Sequence, residues 1–167
     1  MTKTLGIIRT LAFAMLLQGA ASFSFAGSTT LTYQGRILKS NGSPLEYSNV
    51  AFLFQILDPS GQCLLFQEQV SGINMTNSGG VFDVPIGQGS VQYPTAGGNV
   101  MDAFNNTTTF TCGTCAASGN SYSCSDSTSN YPPSMGDGRK LRVSFYDGSG
   151  WQLITPDNVI RAVPYAG

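Results

Sequence analysis

The sequence predicts an all-β protein, an antiparallel β-sandwich, from three observations. Apolar residues recur at alternate positions in short runs, turn peptides rich in Gly, Pro and Asn separate those runs, and four cysteines stand in a chain that opens on an export signal. Alternation of period two places one set of side chains on one face of a pleated strand, so each run can cover one side of a core.

The amino end carries Lys3 and Arg9 ahead of an uncharged run that continues through Leu17 to Phe25, and Ser24 and Ala26 supply the small residues before a cut. This is the layout of a secretory signal over residues 1–26. Gln18, Gly19 and two serines interrupt the run, which is short for a span of about 20 strongly apolar residues. Cleavage is therefore expected, with no membrane span left in the mature chain. No cysteine follows the apolar run, so no lipid anchor is expected. Residues 27–167 are then read as one domain, a length that buries roughly two-thirds of its unfolded surface.

Leu31, Tyr33 and Ile37 alternate before an Asn41-Gly42 turn. Val50, Phe52, Phe54 and Ile56 form one face of the next strand while Ala51, Leu53 and Leu57 form the other, which predicts a central strand buried on both sides. It ends at Asp58-Pro59-Ser60-Gly61, a type I turn signal in which Pro fixes φ at the second position, and residues 62–70 return as its hairpin partner. A short strand is expected at 73–76, then a reversal at Asn77-Ser78-Gly79-Gly80, then a strand over 81–86 in which Pro85, lacking a donor, marks an edge or an end. Residues 99–105 have a helical look over one or two turns. Residues 105–138 are rich in Ser, Thr, Asn, Gly and Cys, show little apolar periodicity, and read as a long loop held by disulfides. Leu141, Val143 and Phe145 alternate, Asp147-Gly148-Ser149-Gly150 turns, and Trp151 and Leu153 begin the return strand. The total is about seven strands.

Cys63, Cys112, Cys115 and Cys124 are an even set in an exported chain and read as two disulfides. Three of them lie between 112 and 124, so in the oxidised monomer Cys63 pairs with one of these; three pairings remain open. Cys112-Gly-Thr-Cys115 also has the spacing of thiol oxidoreductases, but polar loop flanks it instead of a strand and a helix start. A four-thiolate zinc site needs a second close pair that the spacing does not supply. No metal and no cofactor is expected.

Charge and chemistry narrow the function. Lys and Arg number 8 against 9 Asp and Glu, with no basic cluster, so a nucleic-acid partner is not expected. The chain contains no histidine, which removes Ser-His-Asp and Cys-His arrangements. Asp58, Asp137 and Asp147 belong to turn motifs, Glu46 follows another turn, and Glu68 and Asp83 are read as solvent-facing strand positions, so no catalytic residue is assigned. Trp151, Tyr122 and Tyr131, with Tyr93 and Tyr146 near them in type, are the candidates for stacking on sugar rings; the alternative for Trp151 is a cross-strand pair with Phe145 facing the core. Arg36 stands beside Gly35 in a strand, with Glu68 or Asp83 as possible partners. Gly35 marks a bulge or a close approach.

Three segments taken in order resemble a family of exported bacterial surface-fibre proteins. The first is Tyr33-Gln34-Gly35-Arg36 within 31–37, followed by Gly42-Ser43-Pro44-Leu45; the second is Gly79-Gly80-Val81-Phe82 within 79–87; the third runs from Asp157 to Pro164-Tyr165-Ala166. The resemblance is to the YQGR-type β domain that precedes a long trimeric shaft in phage-tail-fibre-like proteins, and the cysteine-bearing insertion is similar to versions in chimeric fibre adhesins of predatory bacteria. It implies a structural, non-enzymatic module at the cell-proximal part of an adhesive fibre. It also implies a homo-oligomer, a trimer, with other fibre subunits or cell-surface glycans as partners, in the periplasm, at the outer surface or outside the cell. The sequence stops at Gly167, where the shaft of that family begins, which leaves trimerisation open. The rival expectations are a stand-alone carbohydrate-binding module and, third, an exported thiol oxidoreductase.

Overall fold

A computed structural model describes residues 30–160. The expected signal over 1–26 and the motif residues Pro164, Tyr165 and Ala166 lie outside them. The elements in order are β1 (Leu31–Arg36), β2 (Val50–Leu57), β3 (Leu64–Ile73), β4 (Val81–Ile86), β5 (Ser90–Tyr93), a 3-10 helix (Val100–Phe104), β6 (Phe110–Ser118), β7 (Ser121–Tyr131), β8 (Arg139–Tyr146) and β9 (Trp151–Ile160). The fold is the antiparallel all-β sandwich that the sequence predicts, with one short helix.

β2 is central. It pairs with β3 on one side and β8 on the other, within the sheet order β7-β6-β3-β2-β8-β9, and β5 adds to β3. Val50, Phe52, Phe54 and Ile56 point into the main core, and Leu53 and Leu57 are buried on the opposite face. The turn after β2 follows from Asp58: its Oδ1 accepts from the backbone N–H groups of Gly61, Gln62 and Cys63, while the Gly61 N–H also bonds the Asp58 carbonyl. Gly61 sits at φ +82°, a conformation few residues but glycine adopt readily.

A separate two-stranded ribbon, β1 with β4, covers the core face. Phe82 of β4 meets Phe52 at 4.8 Å between ring centroids, and Tyr33 of β1 meets Phe54 edge-on at 5.7 Å. Pro85 lies on β4, whose one partner among the described residues is β1, in keeping with its missing donor. Residues 74–76 are not a strand; the Met75 N–H bonds the Tyr47 carbonyl instead, and the Met75 side chain fills the core.

The segment 105–138 departs most from expectation. Instead of a loop it contains a β-hairpin, β6 and β7, registered from Phe110↔Tyr131 to Ser118↔Ser121; with β5, also unexpected, and without the strand expected at 73–76, the described residues hold nine strands. The ladder forms despite the polar composition because backbone bonds do not depend on side-chain polarity, and two disulfides fix its place. Cys63–Cys112 pins it to the β2–β3 turn beside the single bridge Leu64↔Gly113, and Cys115–Cys124 links the two strands at a directly opposed pair. The hairpin packs on the outer face of the central strands, where Leu57, Leu64 and Tyr93 form a small cluster against Cys115 and Cys124. Gly113 allows this: a Cβ there would stand 2.8 Å from the Tyr93 ring.

Candidate functional site

The two motif pieces of the amino half pair with each other residue by residue: Tyr33 opposite Val84, Gln34 opposite Asp83, Gly35 opposite Phe82 and Arg36 opposite Val81. Gly35 marks a close approach, since a Cβ would stand 3.0 Å from the Phe82 ring. Arg36 does not pair with Glu68 or Asp83. Its Nε donates to the Gly79 carbonyl at 2.8 Å, and the next residue, Ile37, donates to the Gly80 carbonyl at 2.9 Å. Gly79 and Gly80 both have positive φ, and a Cβ on Gly80 would collide with the Ile37 carbonyl. Arg36 thus fastens the turn that leads into β4.

On its other side, this ribbon borders a groove of about 650 Å³ that separates β1 from the β8–β9 hairpin. Tyr33, Phe82, Phe145 and Ile154 contribute apolar surface, Leu38 and Leu153 stand at 51% and 53% exposure, and Arg36, Lys39, Asp147 and Gln152 add polar groups. Leu38, Lys39, Phe145, Asp147 and Gln152 were missed as site residues by sequence reasoning. Only the contact between strands distant in sequence reveals them, although the alternation of Phe145 with Val143 places its side chain on the core face.

The sugar-stacking candidates divide. Trp151 lies opposite Tyr146, not Phe145, and on the outer face; Phe145 lies opposite Gln152 and in line with Phe52 on the core face. Tyr122 reaches Trp151 edge-on at 5.5 Å, and Tyr146 lies 5.8 Å from it, so Tyr122 and Trp151 do come together. The indole Nε1 is buried without a hydrogen-bond partner. Tyr131 is elsewhere: it stacks on Phe110, and its hydroxyl donates to Asp137 at 2.6 Å. Burial, reinforced by that bond, pushes the Tyr131 phenol up to about 12.

Two buried charges escaped the sequence reading. Glu68, expected at the surface, is fully buried on the core face of β3 opposite Phe54, where its two oxygens accept the N–H groups of Gly87 at 2.6 Å and Gly89 at 3.1 Å. Arg139, 1% exposed, lies over the rings of Phe110 and Tyr131 and donates to the Ala103 carbonyl at 2.7 Å, the Gly138 carbonyl at 3.0 Å and Asn106 Oδ1 at 2.6 Å. Oxygen dipoles and π-faces surround it, and the Asp137 carboxylate reaches it through the Tyr131 hydroxyl, which accepts from Arg139 at 3.2 Å and donates to Asp137. Asp58, Asp137 and Asp147 serve their turns: Asp147 accepts from Ser149 and Gly150, and Asp137 from Ser134. The thiol-exchange spacing does not close on itself, because Cys112 pairs with Cys63 and Cys115 with Cys124. Among the described residues, no three His, Cys, Asp or Glu side chains gather to hold a metal ion, and no helix is long and apolar enough to cross a membrane.

Fold and site define a class, a disulfide-stapled β-sandwich of an oxidising environment with one side left partly open. Within that class the chain belongs to the family described as "Domain of unknown function (DUF8740)", whose model matches residues 32–119, more than half of the sequence. The match runs from β1 to the end of β6, but β8, which flanks the central β2, lies beyond it, so the folded unit is larger than the matched span. No curated protein and no solved structure matches the chain.

Proposed function

We propose that this protein is a non-enzymatic, structural module of an exported fibre or adhesin at the bacterial cell surface, and that it works as a homo-oligomer. The groove between β1 and the β8–β9 hairpin carries this reading. It holds aromatic and branched side chains beside two half-exposed leucines, Leu38 and Leu153. Apolar surface left at such a place is the usual mark of an interaction site. The resemblance of the Tyr33–Arg36, Gly79–Phe82 and Pro164–Ala166 segments to fibre proteins supports the same assignment, and two disulfides suit export by the general secretion route. Sedimentation of the mature chain tests it: a trimer or other closed oligomer is expected, and a monomer at all concentrations up to millimolar overturns it.

A second reading, a carbohydrate-binding module, draws on the Tyr122–Trp151–Tyr146 cluster with its unpartnered indole N–H. Stacking on a sugar ring needs an open aromatic face. Glycan-array binding abolished by Trp151→Ala, with the fold intact by circular dichroism, would favour it.

A further inference from the structure

The groove has the form of a missing strand. β1 is bonded to β4 on one side and β9 to β8 on one side, and among the described residues neither has a partner on its other edge. β4 presents Pro85, and β9 presents Pro156 past its midpoint, both of which discourage pairing there; β1 and the first half of β9, residues 151–154, present no proline at all. These two unguarded stretches are the ones that border the groove. A strand laid between them would complete both ladders and cover Leu38 and Leu153.

Resting on the oligomeric reading above, we propose that this strand is residues 162–166 of a second copy of the same chain, added between β1 and β9. The segment is Ala162-Val163-Pro164-Tyr165-Ala166, without a charge. As a strand of five residues it extends about 17 Å at roughly 3.3 Å per residue, a little less than the six residues of β1. Period two sends Val163 and Tyr165 to one face, toward Phe145 and Ile154 on the core side, and leaves the smaller residues on the outer side with Leu153. Pro164 forgoes a bond to one edge only, because successive N–H groups of a strand point to opposite neighbours.

The geometry requires a second copy. Ile160 lies opposite Arg139, at the far end of the β8–β9 hairpin from Trp151 and Tyr146. Between Ile154 and Asn158 β9 bulges against residues 141–143, so Ile160 stands from Ile154 by the span of four residues of β8, about 13 Å. Residues 162–166 of the same copy begin only two residues past Ile160 and would have to reverse direction and recover that distance at once. The described chain leaves β9 at Ile160, the end remote from residues 151–154 and beside Val159, which is 61% exposed. The donor surface and the acceptor groove are thus different surfaces at opposite ends of one strand. Such a contact is heterologous: repeated, it closes into a ring if the rotation between copies allows and otherwise grows into a filament.

The test uses the full mature chain, mixed from unlabelled and nitrogen-15-labelled preparations, with a photo-crosslinking amino acid in place of Leu153. Mass spectrometry is expected to find residue 153 joined to the 162–166 segment in pairs of mixed isotope, the signature of two copies. In parallel, Leu38→Asp and Val163→Asp, each checked for an unchanged circular-dichroism spectrum, are expected to weaken self-association at least about 100-fold by placing a charge in a dry ladder. An oligomer that persists in both variants, or cross-links found only within one copy, only to another segment or only to an added foreign peptide, overturns the strand exchange while leaving the oligomeric reading standing. A wild-type monomer overturns both.

Discussion

The central strands of this protein carry a cover on each face, and the two covers are held by different physics. On the core face, the β1–β4 ribbon contributes Tyr33, Phe82, Val84 and Ile86 to a cluster with Phe52 and Phe54, and it has no disulfide. On the outer face, the β6–β7 hairpin offers mostly Ser, Thr, Asn and Gly. What meets it is a ladder of amides: Gln55 donates to Gln67, Gln67 to Gln92 and Gln92 to Gln69, and the Gln67 Nε2 also reaches the Cys124 sulfur at 3.1 Å. Satisfied amides cancel their own desolvation but add little beyond it. Beyond its base, where Cys112, Phe110 and Tyr131 pack against the core, the hairpin therefore relies on sulfur where the ribbon relies on burial, and an oxidising compartment can supply the one as reliably as sequence supplies the other.

The largest effect should come from the buried cover. Phe82→Ala removes a ring that touches Phe52, Tyr33 and the backbone at Gly35, and should cost about 3–5 kcal/mol. Urea unfolding followed by tryptophan fluorescence measures it. A cost below about 1 kcal/mol would mean that the ribbon is a loose flap and that the contrast between the covers is misplaced.

Slightly smaller is the loss of the anchoring disulfide. Cys63 and Cys112 are 49 residues apart, so replacing both by Ala should cost about 4 kcal/mol through the freed chain of the unfolded state. Cys115 and Cys124 are only 9 apart, and the same double replacement there should cost about 3 kcal/mol. The two differ more in reach than in size. The second should speed hydrogen exchange in 110–131 while β2 and β4 keep their protection; the first should loosen the hairpin from β3 as well. Equal loss of protection in both covers would show that sulfur and core act as one cooperative unit.

This contrast also explains what the sequence discloses. Alternation and turn chemistry locate β2 and β4 to the residue and β1, β3, β8 and the start of β9 to within three residues, because in those strands one face is apolar and the pattern is written in side chains. The hairpin at 110–131 has no such pattern, since its strands are held by backbone bonds and sulfur, and a composition of Ser, Thr and Asn looks the same in a loop. Glu68 was misplaced for a related reason: a carboxylate in a strand reads as solvent-facing, and the two glycine N–H groups that receive it belong to a turn 19 and 21 residues away. Half of the groove was legible as Tyr33, Gly35 and Arg36. Its other wall, on β8 and β9, depends on a tertiary approach that period and propensity do not encode.

Glu68 offers the smallest and finest test, because it is a polar group that crossed to the apolar side. Burial holds its carboxyl above the ordinary value, and the N–H groups of Gly87 and Gly89 pull downward without reversing that. The folded protein therefore binds this proton more tightly than the unfolded chain. The stability Glu68 contributes is fully present below the unfolded value near 4.5 and is lost as pH rises through the folded value. Asp58 and Asp147 act in the opposite sense. Burial raises Asp58, but Ser60 and the N–H groups of Cys63 and Gln62 outweigh it, and the Ser149 hydroxyl leads in lowering Asp147; their contributions are present at neutral pH and fade in acid. Wild type and Glu68→Gln share the aspartates, so their difference in unfolding free energy isolates the glutamate. That difference should move against wild type as pH rises from about 4 to about 8. A flat difference would mean that two glycine N–H groups repay the whole desolvation of a carboxylate, and the core face would then be less hostile to charge than its ring of phenylalanines implies.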